Sequence, residues 1–156
     1  MTKRLATAST AKLIPPFTLQ TAIAKVQRGE DLWNTRNPEL VAKAYTPDCI
    51  WRNRHQFIKG TSDIKTFLAL KWKREQDYIL KKELFIFSDD RIAVQFWYEY
   101  HDGRYNWFRA YGLEHWYFND DGLMKERRAS INDLGIKDCD RWFVNGSKTR
   151  GEDPAG

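Results

Sequence analysis

The chain has 156 residues, of which 42% are hydrophobic and 30% charged, and 26 basic against 21 acidic residues leave a net charge of +5. This balance suits one globular domain and excludes a wholly disordered chain; no uncharged apolar run approaches the ~20 residues of a membrane span, so a membrane partner is not expected. No window reads as a secretory h-region, and a mild, interleaved basic excess is not the concentrated patch of a nucleic-acid binder.

Residues 1–14 lack periodicity and end at Pro15-Pro16, which cannot continue a helix, so 1–16 is set apart from the folded domain. They read as a flexible N-terminal segment. Residues 1–29 contain Lys3, Arg4, Lys12, Lys25 and Arg28 but no acid. Such a leader is compatible with mitochondrial import, but a polar terminus on a cytoplasmic protein is the expectation here. From Thr18, a plausible N-cap, Ala22, Val26, Leu32 and Trp33 recur near helical spacing, predicting a helix over 19–35 with Gly29 as a weak point. Asn37-Pro38 opens a second, short helix with Leu40, Val41, Ala44 and Tyr45 as its stripe, stopping at Pro47. Cys49 to Arg54 reads as a strand with Ile50, Arg52 and Arg54 on one face and Cys49, Trp51 and Asn53 on the other. Arg52 and Arg54 read as solvent or dimer residues. Lys59-Gly60 is a turn, and Thr61 or Ser62 caps a third helix carrying Ile64, Phe67, Leu68 and Trp72 at i, i+3, i+4, i+8. Its run Lys71, Lys73, Arg74 reads as a solvated face.

Beyond Gln76 the period changes to 2, and four long strands follow: Tyr78 to Ser88, Arg91 to His101, Arg104 to Phe118 and Leu123 to Asn132. Asp102-Gly103 and Asn119-Asp120-Asp121-Gly122 are the turns between the last three. After Asp133 the apolar density falls; residues 145–156 read as disordered, with Trp142-Phe143 a patch that docks the tail. Helices first and a meander after argue α+β. The domains are therefore 1–16, a folded domain 17–136 and a partly disordered tail 137–156.

The chain carries 7 Trp, 7 Tyr and 9 Phe. In the second long strand Ile92, Val94, Phe96, Tyr98 and Tyr100 form a core face. In the third, Phe108, Ala110, Gly112, Glu114, Trp116 and Phe118 oppose Trp107, Arg109, Tyr111, Leu113, His115 and Tyr117, so both faces carry large rings. Three helices cover only one face of such a sheet. A second copy of the chain is the simplest cover for the other, with an exposed aromatic ladder as the alternative.

Glu114 shares a face with Phe108, Ala110, Trp116 and Phe118. Two roles stay open for it: an acid or base whose pKa burial has raised, or a structural carboxylate paired with an arginine such as Arg127. A bulge near Gly112 reverses the face. Arg127 alternates with Ala129 and Ile131 and looks inward; Asn53, on the Trp51 face, can bond a ligand or the backbone. His55, His101 and His115 lack partners at metal-ligand spacing, and Cys49 and Cys139 lie 90 positions apart. No metal, no cofactor and no disulfide is expected, and the cysteines read as thiols in a reducing compartment.

The helix pair running into Tyr45-Thr46-Pro47-Asp48, then strand, helix and four-strand meander, resembles the nuclear transport factor 2-like superfamily over roughly residues 17–136. That group includes ketosteroid isomerase, scytalone dehydratase and the SnoaL-type cyclases. More narrowly, Trp33-Asn34-Thr35-Arg36, Trp51-Arg52-Asn53-Arg54, Lys71-Trp72, Lys82-Glu83-Leu84, Arg91-Ile92-Ala93-Val94, Tyr111-Gly112 with Glu114, Gly122-Leu123-Met124 and Ala129-Ser130-Ile131-Asn132-Asp133 are similar to a domain-of-unknown-function branch of it. Leu113 and Arg128 depart from that branch. The resemblance implies a cone-shaped half-barrel: three N-terminal helices packed in a strongly curved mixed or antiparallel sheet, a pocket at the open end, and a dimer through the outer sheet face. Carried over residue by residue, the isomerase's general base falls on Asn53, its oxyanion tyrosine near Gly29 and its oxyanion acid on Glu114. One of three roles is retained, so isomerase activity of that kind is not expected.

The functional expectation is a homodimer binding a small apolar molecule, with Trp33, Trp51, Trp72, Phe96, Tyr98, Phe108 and Trp116 as pocket walls. As a lyase or isomerase it uses Glu114 as acid or base, with Asn53 and Arg127 stabilising negative charge. A non-catalytic protein-interaction module is the alternative.

Overall fold

The computed structural model describes residues 12–154, so residues 1–11 of the flexible segment expected at 1–16 lie outside the described residues. Helix α1 (Leu19–Asn34) starts at a capping box in which Thr18 and Thr21 bond each other's backbone N–H and hydroxyl. Its buried residues are Ala22, Val26, Glu30 and Trp33. Gly29 is not a weak point but a fit: a Cβ there would sit 2.8 Å from the Trp116 ring. Helix α2 (Pro38–Ala42) is capped by Asn37 Oδ1, which accepts from Glu39 and Leu40 N–H. It ends sooner than the sequence pattern implies, because Tyr45 opens strand β1 (Tyr45–Asn53). Pro47 therefore lies inside a strand, where its missing N–H coincides with a break in register between Tyr45 and Ile50.

The pattern also misses strand β2 (Gln56–Lys59), which pairs antiparallel with β1. The turn between them is made by Arg54 at φ 58° and His55, with none of the Gly or Asn that normally marks a hairpin. Helix α3 (Thr61–Arg74) takes Gly60 as its N-cap at φ 85°, so Thr61 and Ser62 lie in the helix rather than capping it. Strands β3 (Gln76–Phe87), β4 (Arg91–His101), β5 (Trp107–Phe118) and β6 (Met124–Ile136) form the expected meander.

The sheet order is β2-β1-β6-β5-β4-β3, with β1 and β6 parallel and every other pair antiparallel. The result is α+β: three helices against a curved, unclosed six-stranded mixed sheet. Val94 faces Glu114 and Phe96 faces Gly112 in unbroken register, so no bulge occurs at Gly112; the irregularity is at Tyr117/Phe118. The inner-face alternation of Glu114 therefore holds. No helix among the described residues is long and apolar enough to cross a membrane.

On the outer face, the tail after β6 covers part of what the strand pattern assigns to a second copy. Glu99, buried, accepts the backbone N–H groups of Trp142 and Phe143 at 2.8–3.0 Å and the Arg109 guanidinium at 2.8–2.9 Å. Arg109 lies 3.6 Å from the Trp142 ring, Arg141 3.6 Å from Trp107 and Arg150 4.5 Å from Trp97. Ile50, Phe57 and Leu113 stay exposed on the rest of the sheet.

Candidate functional site

The inner face brings together side chains from six elements, five strands and α1. Parallel pairing of β1 with β6 sets Trp51 beside Arg127, and antiparallel pairing of β5 with β6 sets Trp116 beside the same residue. Glu114, from β5, accepts Arg127 Nε on Oε2 at 2.8 Å, and its Oε1 is bonded by Lys82 Nζ from β3. Arg127 also donates to Asn53 Oδ1 at 3.1 Å. Asn53, Glu114 and Arg127, named from sequence, thus converge, and they do so on each other. Aromatic rings enclose the cations: Lys82 Nζ lies 4.3 Å from the Phe96 ring centre, 5.6 Å from Trp33 and 5.5 Å from Trp116. The Arg127 guanidinium lies 4.9 Å from Trp33 and 4.7 Å from Trp51. On α1, Glu30 accepts the Lys82 backbone N–H at 2.8 Å and Gln27 Nε2 at 2.7 Å.

This geometry bears on the two roles open for Glu114. Burial pushes its pKa up, but the adjacent Lys82 and Arg127 charges and their hydrogen bonds outweigh burial and hold it below the ordinary value. A lowered pKa fits the carboxylate paired with Arg127 better than an acid whose pKa burial has raised. Lys82 goes the other way: burial lowers its pKa despite Glu114. The sequence reading missed Lys82 as a site residue, although β3 carried the signal. Tyr78, Leu80, Lys82 and Leu84 alternate onto one face, and a lysine in an otherwise apolar row needs a buried anion.

The rings expected to wall a pocket around this acid largely pack on one another. Trp33 stacks on Trp51 at 5.7 Å and meets Trp72 edge-on at 5.8 Å; Phe96 stacks on Tyr98 at 6.2 Å. Phe108 sits apart, stacked on Tyr100 at 5.3 Å. Near Tyr98 a second polar group closes the sheet end. Arg54, half-buried, pairs with Asp133 at 2.6 Å and approaches the Tyr98 hydroxyl at 3.5 Å, so it reaches the inner-face side of the sheet end. Lys71 leaves the solvated face assigned to it: it is buried, bonds Glu75 at 2.9 Å and lies 4.1 Å from the Tyr98 ring centre. Burial brings its pKa down to about 8. Lys73 and Arg74 are exposed as expected.

The concave space is beside this cluster. A groove of about 810 Å³ runs between α1, α2, residues 12–14 and the β5–β6 turn. Its floor includes Trp33, Tyr45, Trp116, Phe118 and Met124, and its rim carries Lys12, Lys25, Arg28, Lys43 and Asp121. Of the walls expected from sequence only Trp33 and Trp116 line it; Glu114, Asn53 and Arg127 do not. Lys25 donates to the Gly122 carbonyl at 2.7 Å and lies 5.1 Å from the Phe118 ring centre. Burial, and then the Arg28 charge, bring its pKa down to about 8. The acid-free composition of residues 1–29 was the signal for this rim, since three of its four cations come from there. A broader depression of about 990 Å³ lies along the tail, but Arg109 on its wall is already engaged by Glu99 and Asp140. Among the described residues no three His, Cys, Asp or Glu side chains gather as a metal would need. His101 bonds Asp77 at 2.7 Å, while His55 and His115 are exposed.

A protein-family model described as "Protein of unknown function (DUF1348)" matches residues 15–144. No curated protein matches the chain. Among solved structures, the epoxide hydrolase/cyclase-like enzyme SalBIII, described for pyran ring formation in polyether salinomycin, is similar at 11% identity and TM-score 0.64, over 72% of this chain and 92% of its own. A nuclear transport factor 2-like protein of unknown function from Exiguobacterium sp. 255-15 is similar at 14% identity and TM-score 0.62, over 70% and 99%. The BvnE pinacolase from Penicillium brevicompactum is similar at 12% identity and TM-score 0.61, over 71% and 85%. At these identities the likeness is one of fold.

Proposed function

The chain belongs to this family of proteins of unknown function, on the nuclear transport factor 2-like cone fold, and from that premise we propose that it binds a small, mostly apolar molecule in the groove between α1, α2 and the β5–β6 turn. The observation that carries the reading is the groove itself, whose volume suits a metabolite and whose floor is aromatic. The fold supports it too, since it houses a cyclase-like enzyme and a pinacolase.

Lys82, Glu114, Arg127 and Asn53 form a rigid wall behind Trp33 and Trp116 in this reading. A proton-donor role for Glu114 is not supported, because both its oxygens are engaged and the Lys82 and Arg127 charges hold its pKa below the ordinary value. The isomerase route also lacks its other parts: Asn53 is an amide, and Gly29 is covered by Trp116. The free thiols Cys49 and Cys139 fit a reducing, cytoplasmic setting.

The test compares purified protein with Ala44→Trp, which fills the groove from a half-buried lining position. Mass spectrometry of the denatured extract is expected to find a small molecule that the parent retains and the variant loses. Equal recovery from both counts against the groove.

Exposed Ile50, Phe57 and Leu113 on the outer face support pairing with a second copy there. Sedimentation at micromolar concentration is then expected to give a dimer that Phe57→Asp dissociates. A monomeric parent refutes the dimer.

A further inference from the structure

We propose that the groove's ligand is an amphipathic anion: an apolar body lying on the aromatic floor, with one carboxylate or similar group held at the rim by Lys25 and Arg28. The inference rests on the groove reading above and adds the charge class of the ligand.

Three observations carry it. The rim sets four cations, Lys12, Lys25, Arg28 and Lys43, against the single acid Asp121. Among the described residues none of the four is within ion-pair distance of a carboxylate; Lys12, Arg28 and Lys43 are exposed, but Lys25 is half-buried, whereas the fully buried cations each have a carboxylate: Lys71 with Glu75, Lys82 and Arg127 with Glu114, Arg109 with Glu99. Half-buried Lys25 thus carries its charge without the carboxylate that each fully buried cation among the described residues has.

Second, Lys25 and Arg28 stand three positions apart on α1, a spacing that makes them neighbours on one helix face. Like charges so placed disfavour each other, and Arg28 is felt at Lys25. An anion between them relieves that repulsion.

Third, the Lys25 ammonium is half-buried over the Phe118 ring and gives one hydrogen bond, to the Gly122 carbonyl. An ammonium has three N–H donors, so two remain for a ligand. Burial that lowers its pKa to about 8 is the penalty of an uncompensated charge, and a bound anion offsets it. An apolar cation would meet the same rim as repulsion. An apolar neutral molecule would gain nothing from it.

The experiment uses three probes of equal chain length and different head charge: decanoate, decanol and decyltrimethylammonium, titrated below their micellar concentrations and followed by tryptophan fluorescence. Decanoate is expected to bind at least about tenfold more tightly than decanol, a single charge-assisted contact being worth that much. The preference should shrink in high salt. Lys25→Met with Arg28→Gln should abolish it while leaving decanol binding in place. Lys59→Met, an exposed lysine outside the groove, should leave it intact. If decanol binds as tightly as decanoate, or the ammonium probe binds best, and Ala44→Trp still blocks binding, the groove reading stands and the anion proposal is overturned. A preference untouched by the double substitution also overturns it. If no probe binds, or Ala44→Trp blocks none of them, the groove reading fails and takes this proposal with it.

Discussion

Glu114 divides its two oxygens between Lys82 and Arg127, so the three side chains enclose two cations and one anion. Removing the anion is therefore worse than removing one cation. Glu114→Gln strands two buried charges and is expected to cost about 3–5 kcal/mol in urea unfolding. Lys82→Met leaves a neutral Glu–Arg pair with a thioether among the rings, and is expected to stay within about 1.5 kcal/mol of the parent. Equal losses would mean that the pair Lys82–Glu114 matters more than charge balance. The sign of the pH dependence follows from the lowered Glu114 pKa. Its stabilisation is fully present above the unfolded carboxylate value, near 4.3, and is lost as pH falls through the lower folded value. The urea midpoint is expected to fall between pH 5 and pH 3, less steeply in Lys82→Met, where one of the two stabilising cations is gone. At this scale the alternation of β5 made Glu114 legible and that of β6 made Arg127 legible. The state of Glu114 was not, because it depends on Lys82, 32 positions away in sequence.

Elements were legible where one residue type forces the backbone and illegible where register decides. The Thr18 cap, Asn37-Pro38 and Asp102-Gly103 mark their boundaries locally. Strand β2 left no mark, since its turn uses Arg54 and His55 and, among the described residues, it pairs with β1 alone. Gly112 shows how register creates a requirement. Because Phe96 lies directly opposite, a Cβ at position 112 would come within 2.0 Å of the Phe96 ring. Gly112→Ala is expected to cost about 1–3 kcal/mol by overpacking. Adding Phe96→Leu should recover part of that loss in a double-mutant cycle; strict additivity of the two would show that the ring is not the obstacle.

For the whole molecule, the tail is the element that changes the account of the sheet. Phe143 is buried and its backbone is held by Glu99, so Phe143→Ala is expected to loosen docking by about 3 kcal/mol. Trypsin should then cut at Arg141, Lys148 and Arg150 on the order of a hundredfold faster, while the far-UV circular dichroism of the cone is unchanged. Parent protein cleaved equally fast would mean that the tail does not protect itself by docking. Two-sided aromatic alternation in β4 and β5 told that both faces are covered; it carried no information on which cover belongs to this chain. The sequence by itself determined the α+β order, the family likeness, the inner face of β5 and the docking of Trp142-Phe143, because periodicity and turn chemistry are local. Only the tertiary structure decided that Glu114 is held between Lys82 and Arg127, that Lys71 and Lys82 are buried, and that the open groove lies toward α1 and α2. Those outcomes depend on which charges and rings distant strands bring within a few ångströms, and neither desolvation nor pairing is written in any one segment.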